Sequence, residues 1–290
     1  MTDLRKPDFI CIGPERTATS SLYVTLKSHP EFHMTPQKEI RYWNEGNLLP
    51  AHSVSRALFS SHWHFRQIRK ELVKHFARVL LGRAPAPEIG WYLRYAFGRR
   101  SEQWYRSLFE KSGSLITGDI SPLYYHLQEE DIGRIARYNP EIRIILLVRD
   151  PVARTWSKAR MNLLRHRGRE FREVPESEFR QAFLRIRREW ISYPAAAGMW
   201  RKYFRNVHTG FFDDLKRSPE RFFRDVLEFL GAERIEKLEL PDKKTNEGLP
   251  IEIPDSFRSL LVEQYRDEII DMRGSPLGKY AGEWIRKYNL

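Results

Sequence analysis

The chain of 290 residues has a single cysteine, Cys11, so no internal disulfide can form and a reducing compartment is expected. No apolar stretch is long enough to span a bilayer. Only a few polar residues precede the first apolar run, which leaves no room for a signal peptide, and the expectation is a cytoplasmic protein. Metal-ligand clusters are missing: His62 and His64 lie close in sequence but without the further ligands a zinc site needs, so no metal is expected. Repeats and low-complexity tracts are also absent. Acid is in short supply, with 38 Asp and Glu against 50 Lys and Arg, a net charge of +12 that favours anionic ligands. Nucleic acid is one such ligand, and Arg160, Arg165, Arg167, Arg169 and Arg172 form an arginine-rich run. That run comes with no RNA- or DNA-reading motif, so no specific nucleic-acid partner is expected. Gly168 and Pro175 punctuate it as they would a flap.

What is present begins at Phe9, where an apolar run to Ile12 breaks into Gly13-Pro14-Glu15-Arg16-Thr17-Ala18-Thr19-Ser20-Ser21 and then into a helical pattern. A strand feeding a helix through such a turn cradles anions, because the first backbone N–H groups of the helix lack intrahelical partners and the helix dipole adds positive charge. Arg16 supplies a full charge beside them. A Walker loop, G-x-x-x-x-G-K-[ST], would need Gly at Ala18 and Lys at Thr19, which argues against an ordinary ATPase and its magnesium site. A positive φ at Ala18 would cost about 1 kcal/mol or more, so a helical φ is predicted there. The plainer alternative is a helix N-terminus capped by Thr17 or Thr19.

Ile144-Ile145-Leu146-Leu147-Val148 is an unbroken run of the kind buried on both faces of a parallel sheet, and it ends abruptly in Arg149-Asp150-Pro151. Pro151 suits a first helical turn, so Arg149 and Ser157 are predicted at the mouth of the sheet, where open α/β folds bind ligands. A planar guanidinium with a neighbouring hydroxyl suits a phosphate group. The alternative is an Arg–Asp surface pair.

In this order, the segments resemble motifs of sulfotransferases that use 3′-phosphoadenosine 5′-phosphosulfate (PAPS). The first loop is similar to their 5′-phosphosulfate loop, G-x-x-K-[ST]-G-T-[ST], with Arg16 and Ala18 standing for the usual Lys and Gly. The second is similar to their 3′-phosphate motif, R-D-P-V-x-R-x-x-S. The resemblance implies that Arg16, Thr17, Ala18, Thr19, Ser20 and Ser21 hold the 5′ end and that Arg149 and Ser157 grip the 3′-phosphate. It also implies that Lys244, in Lys243-Lys244-Thr245-Asn246-Glu247-Gly248, reaches a phosphate. Lys38-Glu39-Ile40-Arg41-Tyr42-Trp43 resembles the K-E-x-x-[FY]-[FW] segment of carbohydrate sulfotransferases, which makes Glu39 the implied general base. Arg16 would then stabilise the leaving oxygen, and Lys38 would assist at the sulfate or simply pair with Glu39. Such a base works if burial or a neighbour raises its pKa toward the working pH. Gly118-Asp119-Ile120-Ser121-Pro122-Leu123-Tyr124 is similar to G-E-x-S-P-x-Y, so Asp119, Ser121 and Tyr124 are expected to line the acceptor pocket, and Asp119 is the second candidate base.

The implied fold is α/β, a P-loop NTPase-like three-layer arrangement with a central parallel sheet flanked by helices, in one sulfotransferase domain over residues 1–290. PAPS would be the co-substrate and PAP the product, with no metal. The sulfuryl group would pass to a hydroxyl or amine of a carbohydrate or other hydroxylated small molecule. Phe211-Phe212-Asp213-Asp214-Leu215 resembles the family's Y-E-D-L strand end, and a helix through Phe222, Val226 and Leu230 should stop at Gly231. Residues from about 48 to 100 fit least well and read as a basic helical insertion. Leu58, Phe65, Ile68, Leu72, Phe76 and Val79 follow helical spacing, and Pro85 and Pro87 are expected to end that helix. Its apolar stripe is expected to pack on the domain with the basic face solvated, the alternative being an acidic partner or an anionic membrane. Two other functional classes stay open: a nucleotide-dependent phosphotransferase and a non-catalytic basic module that binds polyanions.

Overall fold

The computed structural model describes residues 5–46, 48–83, 88–240 and 251–290. Four strands, β1 (Phe9–Gly13), β2 (Gly118–Ile120), β3 (Arg143–Val148) and β4 (Val207–Phe211), form a parallel sheet in the order β2-β1-β3-β4. Parallel neighbours need long crossovers, and helices supply them. Between β1 and β2 run α1 (Thr19–Ser28), α2 (Val54–Phe59), α3 (Trp63–Leu80), α4 (Glu88–Phe97) and α5 (Glu102–Ser107). Between β2 and β3 lies α6 (Glu129–Tyr138). Between β3 and β4 lie α7 (Pro151–Arg160), α8 (Glu176–Arg188) and α9 (Tyr193–Tyr203). After β4 come α10 (Phe212–Arg217), α11 (Pro219–Leu230), α12 (Asp255–Met272) and α13 (Ala281–Tyr288).

Alternation along the strands divides the core in two. Ile10, Ile12, Ile144, Leu146 and Val148 face the larger cluster, with Ile135 of α6, Trp156 of α7 and Trp200 of α9. Phe9, Cys11, Ile145 and Leu147 face the smaller, with Leu22 and Leu26 of α1 and Phe222, Val226 and Leu230 of α11. Both faces are covered, which is why β3 reads as a continuous apolar run. Burial pushes the Cys11 thiol up to about 12, so it is an inert core residue. Helix α11 stops at Gly231, whose φ of 81° is the left-handed cap expected of it.

The insertion departs from expectation in several respects. Its first helix is two helices, each with its own N-cap: Ser53 accepts from the Arg56 N–H (3.2 Å) and His62 from the His64 N–H (3.3 Å). Helix α3 already ends at Leu80, followed by Gly82 at φ 65°; Pro85 and Pro87 lie outside the described residues. Phe65 and Ile68 are buried as the spacing predicts, but Leu58 is exposed.

Candidate active site

Three strands deliver the site from their carboxyl ends. Gly13 closes β1 at φ 84°, with its α-carbon so near β2's exit that a Cβ would lie 2.8 Å from the Pro122 Cα. The loop that follows is braced internally by Thr17, whose buried hydroxyl donates to the Pro14 carbonyl (2.6 Å). Arg16 and Ala18 then adopt φ of 71° and 74°. The helical φ predicted for Ala18 is therefore wrong. Left-handed residues at alternate positions turn successive N–H groups toward one point, the concavity that backbone uses to hold anions, and the requirement to join β1 to α1 there overrides alanine's preference. Ala18 is the N-cap of α1 and no side chain caps the helix, so neither Thr17 nor Thr19 plays the part of the plainer alternative. Ala18→Gly relieves the Cβ contact, and we expect a net stabilisation of up to about 1 kcal/mol, seen as a higher midpoint in urea unfolding.

Lys38 comes to the start of α1 from the other side. Its Nζ donates to Thr19 Oγ1 (2.9 Å) and Ser20 Oγ (3.3 Å), and stands 3.4 Å from a Glu39 carboxylate oxygen. Glu39 and Arg41 both have left-handed φ, 67° and 60°, and the Glu39 N–H donates to the Ile120 carbonyl (3.2 Å) while the Arg41 N–H donates to Ser121 Oγ (3.2 Å). This strained turn, stitched to the end of β2, brings the Arg41 guanidinium onto the Glu39 carboxylate. Burial alone would raise the Glu39 pKa. Arg41 and then Lys38 more than offset it and lower the value to about 2. The expected upward shift is thus reversed: Glu39 is held ionised by two cations.

Asp119, Ser121 and Tyr124 do not line an open pocket as expected. All are buried. Asp119 accepts from the hydroxyls of Ser121 (2.6 Å), Tyr124 (2.7 Å) and Tyr105 (3.1 Å), so its carboxylate is saturated by the protein. Burial raises its pKa, against these hydrogen bonds. The trio forms a rigid support behind residues 39–41, and Asp119 has no opening through which to serve as a base.

The remaining wall comes from β3 and α7. Asp150 caps α7 through the N–H groups of Val152 (3.0 Å) and Ala153 (3.2 Å) and accepts from Lys287 (2.7 Å) on α13, so it is not the partner of Arg149. Arg149 instead lays its guanidinium over the Phe212 ring, 4.2 Å from the centroid, and donates from Nη1 to the Arg16 carbonyl (2.7 Å). Its Nε is buried without a hydrogen-bond partner. Arg16 in turn donates from Nε to Ser157 Oγ (2.9 Å), and Glu15 pairs with Lys158 (2.7 Å), so two contacts tie the first loop to α7. A π-helical turn, Met161–Arg165, prolongs α7. Burial and the neighbouring Arg16 depress Arg149 to about 10, burial and Arg165 depress Arg16, and burial and Arg16 depress Arg160. Partly buried cations that disfavour one another's charge form a site for a polyanion.

The motif residues therefore converge, with three corrections: Ala18 in conformation, Glu39 in ionisation, and Asp119 with its partners in exposure. Lys244 lies outside the described residues. Arg167 and Arg169 pair with Glu178, and Arg172 with Glu170, so that part of the arginine run is balanced by acids. Arg41 and Lys158 were not singled out in the sequence. Arg41's alternation with Glu39 inside the K-E motif was the available signal, whereas Lys158 gave none, because its partner Glu15 is distant in sequence.

Comparison with known proteins follows the same line. A model described as the sulfotransferase family matches residues 7–236. Among solved structures, a sulfotransferase from Alicyclobacillus acidocaldarius matches with a TM-score of 0.64 at 21% identity, covering 97% of this chain and 99% of that one. The sulfotransferase domain from the curacin biosynthetic pathway matches with a TM-score of 0.50 at 16% identity, over 98% of each chain. Mouse sulfotransferase SULT7A1, complexed with PAP, matches with a TM-score of 0.50 at 14% identity, over 98% of this chain and 90% of that one. The α/β, P-loop NTPase-like arrangement expected from the motifs is the fold these proteins share with it. No protein with a curated description matches this chain in sequence.

Proposed function

Because this chain belongs to the sulfotransferase family, we propose that it takes the sulfuryl group from PAPS, releases PAP, and uses Glu39 to deprotonate a hydroxylated acceptor, with residues 1–290 acting as one unit. The observation that carries this reading is the position of Lys38, whose Nζ stands at once on the hydroxyls of Thr19 and Ser20 and beside the Glu39 carboxylate. A cation shared between an anion cradle and a carboxylate couples donor binding to base activity. An anionic sulfuryl group at the start of α1 competes for Lys38 and takes from Glu39 one of the two cations that lower its pKa, so the carboxylate becomes more basic as the donor binds. The acceptor oxygen then attacks sulfur and its proton passes to Glu39. The sulfur–oxygen bond to the nucleotide breaks, and its electron pair stays on the departing phosphate oxygen, where the loop N–H groups and Lys38 neutralise it.

Arg16 takes a different part from the one its alignment suggests. Its guanidinium is engaged with Ser157 on α7, which leaves Lys38 as the charge at the helix start. Arg16 uses only the acceptor capacity of Ser157 Oγ, so the hydroxyl hydrogen is free for a 3′-phosphate alongside Arg149. The acceptor class follows from the K-E segment and is a carbohydrate or comparable hydroxylated molecule.

The test is a calorimetric titration with PAP beside ADP and Mg·ATP. PAP is expected to bind more tightly than ADP by on the order of a hundredfold, since a phosphate held by a partly buried charged donor contributes several kcal/mol. Equal or tighter binding of Mg·ATP would replace sulfuryl by phosphoryl chemistry, and affinity for long polyanions without nucleotide binding would favour the non-catalytic module.

A further inference from the structure

The insertion carries a surface that the nucleotide site does not use. At about 100° per residue, Trp63, Lys70, Val73, Lys74 and Leu80 of α3 fall within an arc of roughly 120°, while Phe65, Ile68, Leu72 and His75 face the opposite way. The second group is buried or partly buried, and the first points outward: Trp63 is 46%, Val73 68% and Leu80 86% exposed. Phe59, at the end of α2, is 82% exposed. Helix α2 is held to α3 by Arg69, which donates to the carbonyls of Ala57 and Ser60 at 2.8 Å each, so the two helices present these side chains on a fixed hairpin. Helix α3 carries Arg66, Arg69, Lys70, Lys74 and Arg78 against a single acid, Glu71.

We propose that the outward face of α3, with the end of α2, docks on an anionic bilayer surface. Charge and composition together single out this occupant. A protein partner would have to bury Lys70, which lies between Trp63 and Val73 on this face, with Lys74 at its edge, and interface centres are depleted in lysine. At a bilayer the same lysines reach lipid phosphates while their stems and the neighbouring Trp, Val and Leu enter the headgroup boundary. Nucleic acid would satisfy the cations and leave Phe59, Val73 and Leu80 exposed to water. Among the described residues no helix is long and apolar enough to cross a membrane, and the contact proposed is a peripheral one. It also bears on the site. Trp63 stacks under the Arg41 guanidinium, 4.9 Å from the ring centroid, and Gln67 accepts from Arg41 (3.1 Å), which in turn binds Glu39. The docking face thus adjoins Glu39 through Arg41, and, resting on the reading of Glu39 as base, the acceptor would be a hydroxylated group displayed at the bilayer surface.

The full chain, sedimented with vesicles, decides the matter. Retention is expected on phosphatidylcholine vesicles containing phosphatidylglycerol and not on phosphatidylcholine alone. Val73→Ser with Leu80→Ser should lower the partition coefficient by on the order of tenfold or more, and Lys70→Gln with Lys74→Gln should lower it and flatten its salt dependence. Absence of retention on the anionic vesicles overturns the proposal. So does retention that the Val73/Leu80 variant leaves unchanged, or that a DNA duplex abolishes equally in both forms, because the attraction is then to any polyanion. PAP binding by the same variants, expected unchanged, verifies their folding. Vesicle retention in a wild type that fails to bind PAP would count against the nucleotide reading and leave the docking surface standing.

Discussion

Glu39→Gln is expected to lower turnover by roughly 10²- to 10⁴-fold, the usual contribution of a positioned general base, while PAP affinity changes by no more than a few-fold. Turnover is measured as PAP released from PAPS with an acceptor drawn from a panel of sugars and small alcohols, and affinity by calorimetry. The carboxylate does not touch the Thr19 and Ser20 hydroxyls that Lys38 engages, which is why the two measurements should separate. The pH dependence carries the sharper test. Burial, outweighed by Arg41 and Lys38, sets the free carboxylate at about 2, below its ordinary value, so it is ionised at every pH above that and loses its charge only as pH falls through that value. For the free protein, kcat/KM should therefore show no acid limb from Glu39 between about pH 3 and 5, the range in which a carboxylate of ordinary pKa near 4.3 would titrate. If Lys38 moves to the bound sulfuryl group, kcat itself should acquire an acid limb at higher pH than kcat/KM, because one of the two depressing cations has gone. Lys38→Met should raise the carboxylate's pKa in the free protein and bring the two profiles together. Turnover retained by Glu39→Gln would remove Glu39 as base. The burial of Asp119 means the second candidate could not simply replace it.

The residues that could be read in advance share a physical property: their local pattern and their tertiary environment ask for the same thing. Ile144 to Val148 are uniformly apolar because β3 is covered on both faces, and Gly231 stops α11 because a left-handed cap favours glycine. Arg149 and Ser157 follow from the abrupt end of that strand at a proline-started helix. Where reading failed, tertiary closure opposed local preference or gathered residues from distant segments. Alanine favours a helix, yet Ala18 is forced into the left-handed region by the short path from β1 to α1. Asp119 resembles a reactive acid until Tyr105 and Tyr124 arrive from separate elements to saturate it. The cations that fix Glu39 were visible as Lys38 and Arg41. What was not visible is the pair of left-handed residues, Glu39 and Arg41, that folds one side chain onto the other. In the insertion, helical spacing identified Phe65 and Ile68 as buried but gave no sign that Phe59, Val73 and Leu80 would be left outside.

Arg149→Ala is expected to weaken PAP by roughly 30-fold to several thousandfold and ADP by only a few-fold, the range for truncating one partner of a buried, hydrogen-bonded charge pair. Its guanidinium is packed on Phe212, depressed to about 10 by burial and by Arg16, and carries a buried Nε with no partner. The contact with Phe212 fixes the guanidinium in place, while the depressed pKa and the unpartnered Nε are unfavourable in the free protein and are relieved by an anion at that position, so the free energy of binding should concentrate there. The alternative is that Arg149 acts only through the Arg16 carbonyl, to which it donates at 2.7 Å, and so holds the shape of the first loop. That role would move PAP and ADP together, because both place phosphates on the loop. The ratio of the two affinities therefore distinguishes a 3′-phosphate ligand from a loop brace. Arg149→Lys sharpens the distinction: it keeps a positive charge but lacks the planar fork, and should recover part of the PAP affinity without restoring the full preference over ADP. Equal losses of PAP and ADP in Arg149→Ala would assign Arg149 to the loop and leave Ser157 and Arg16 as the residues to examine for the 3′-phosphate.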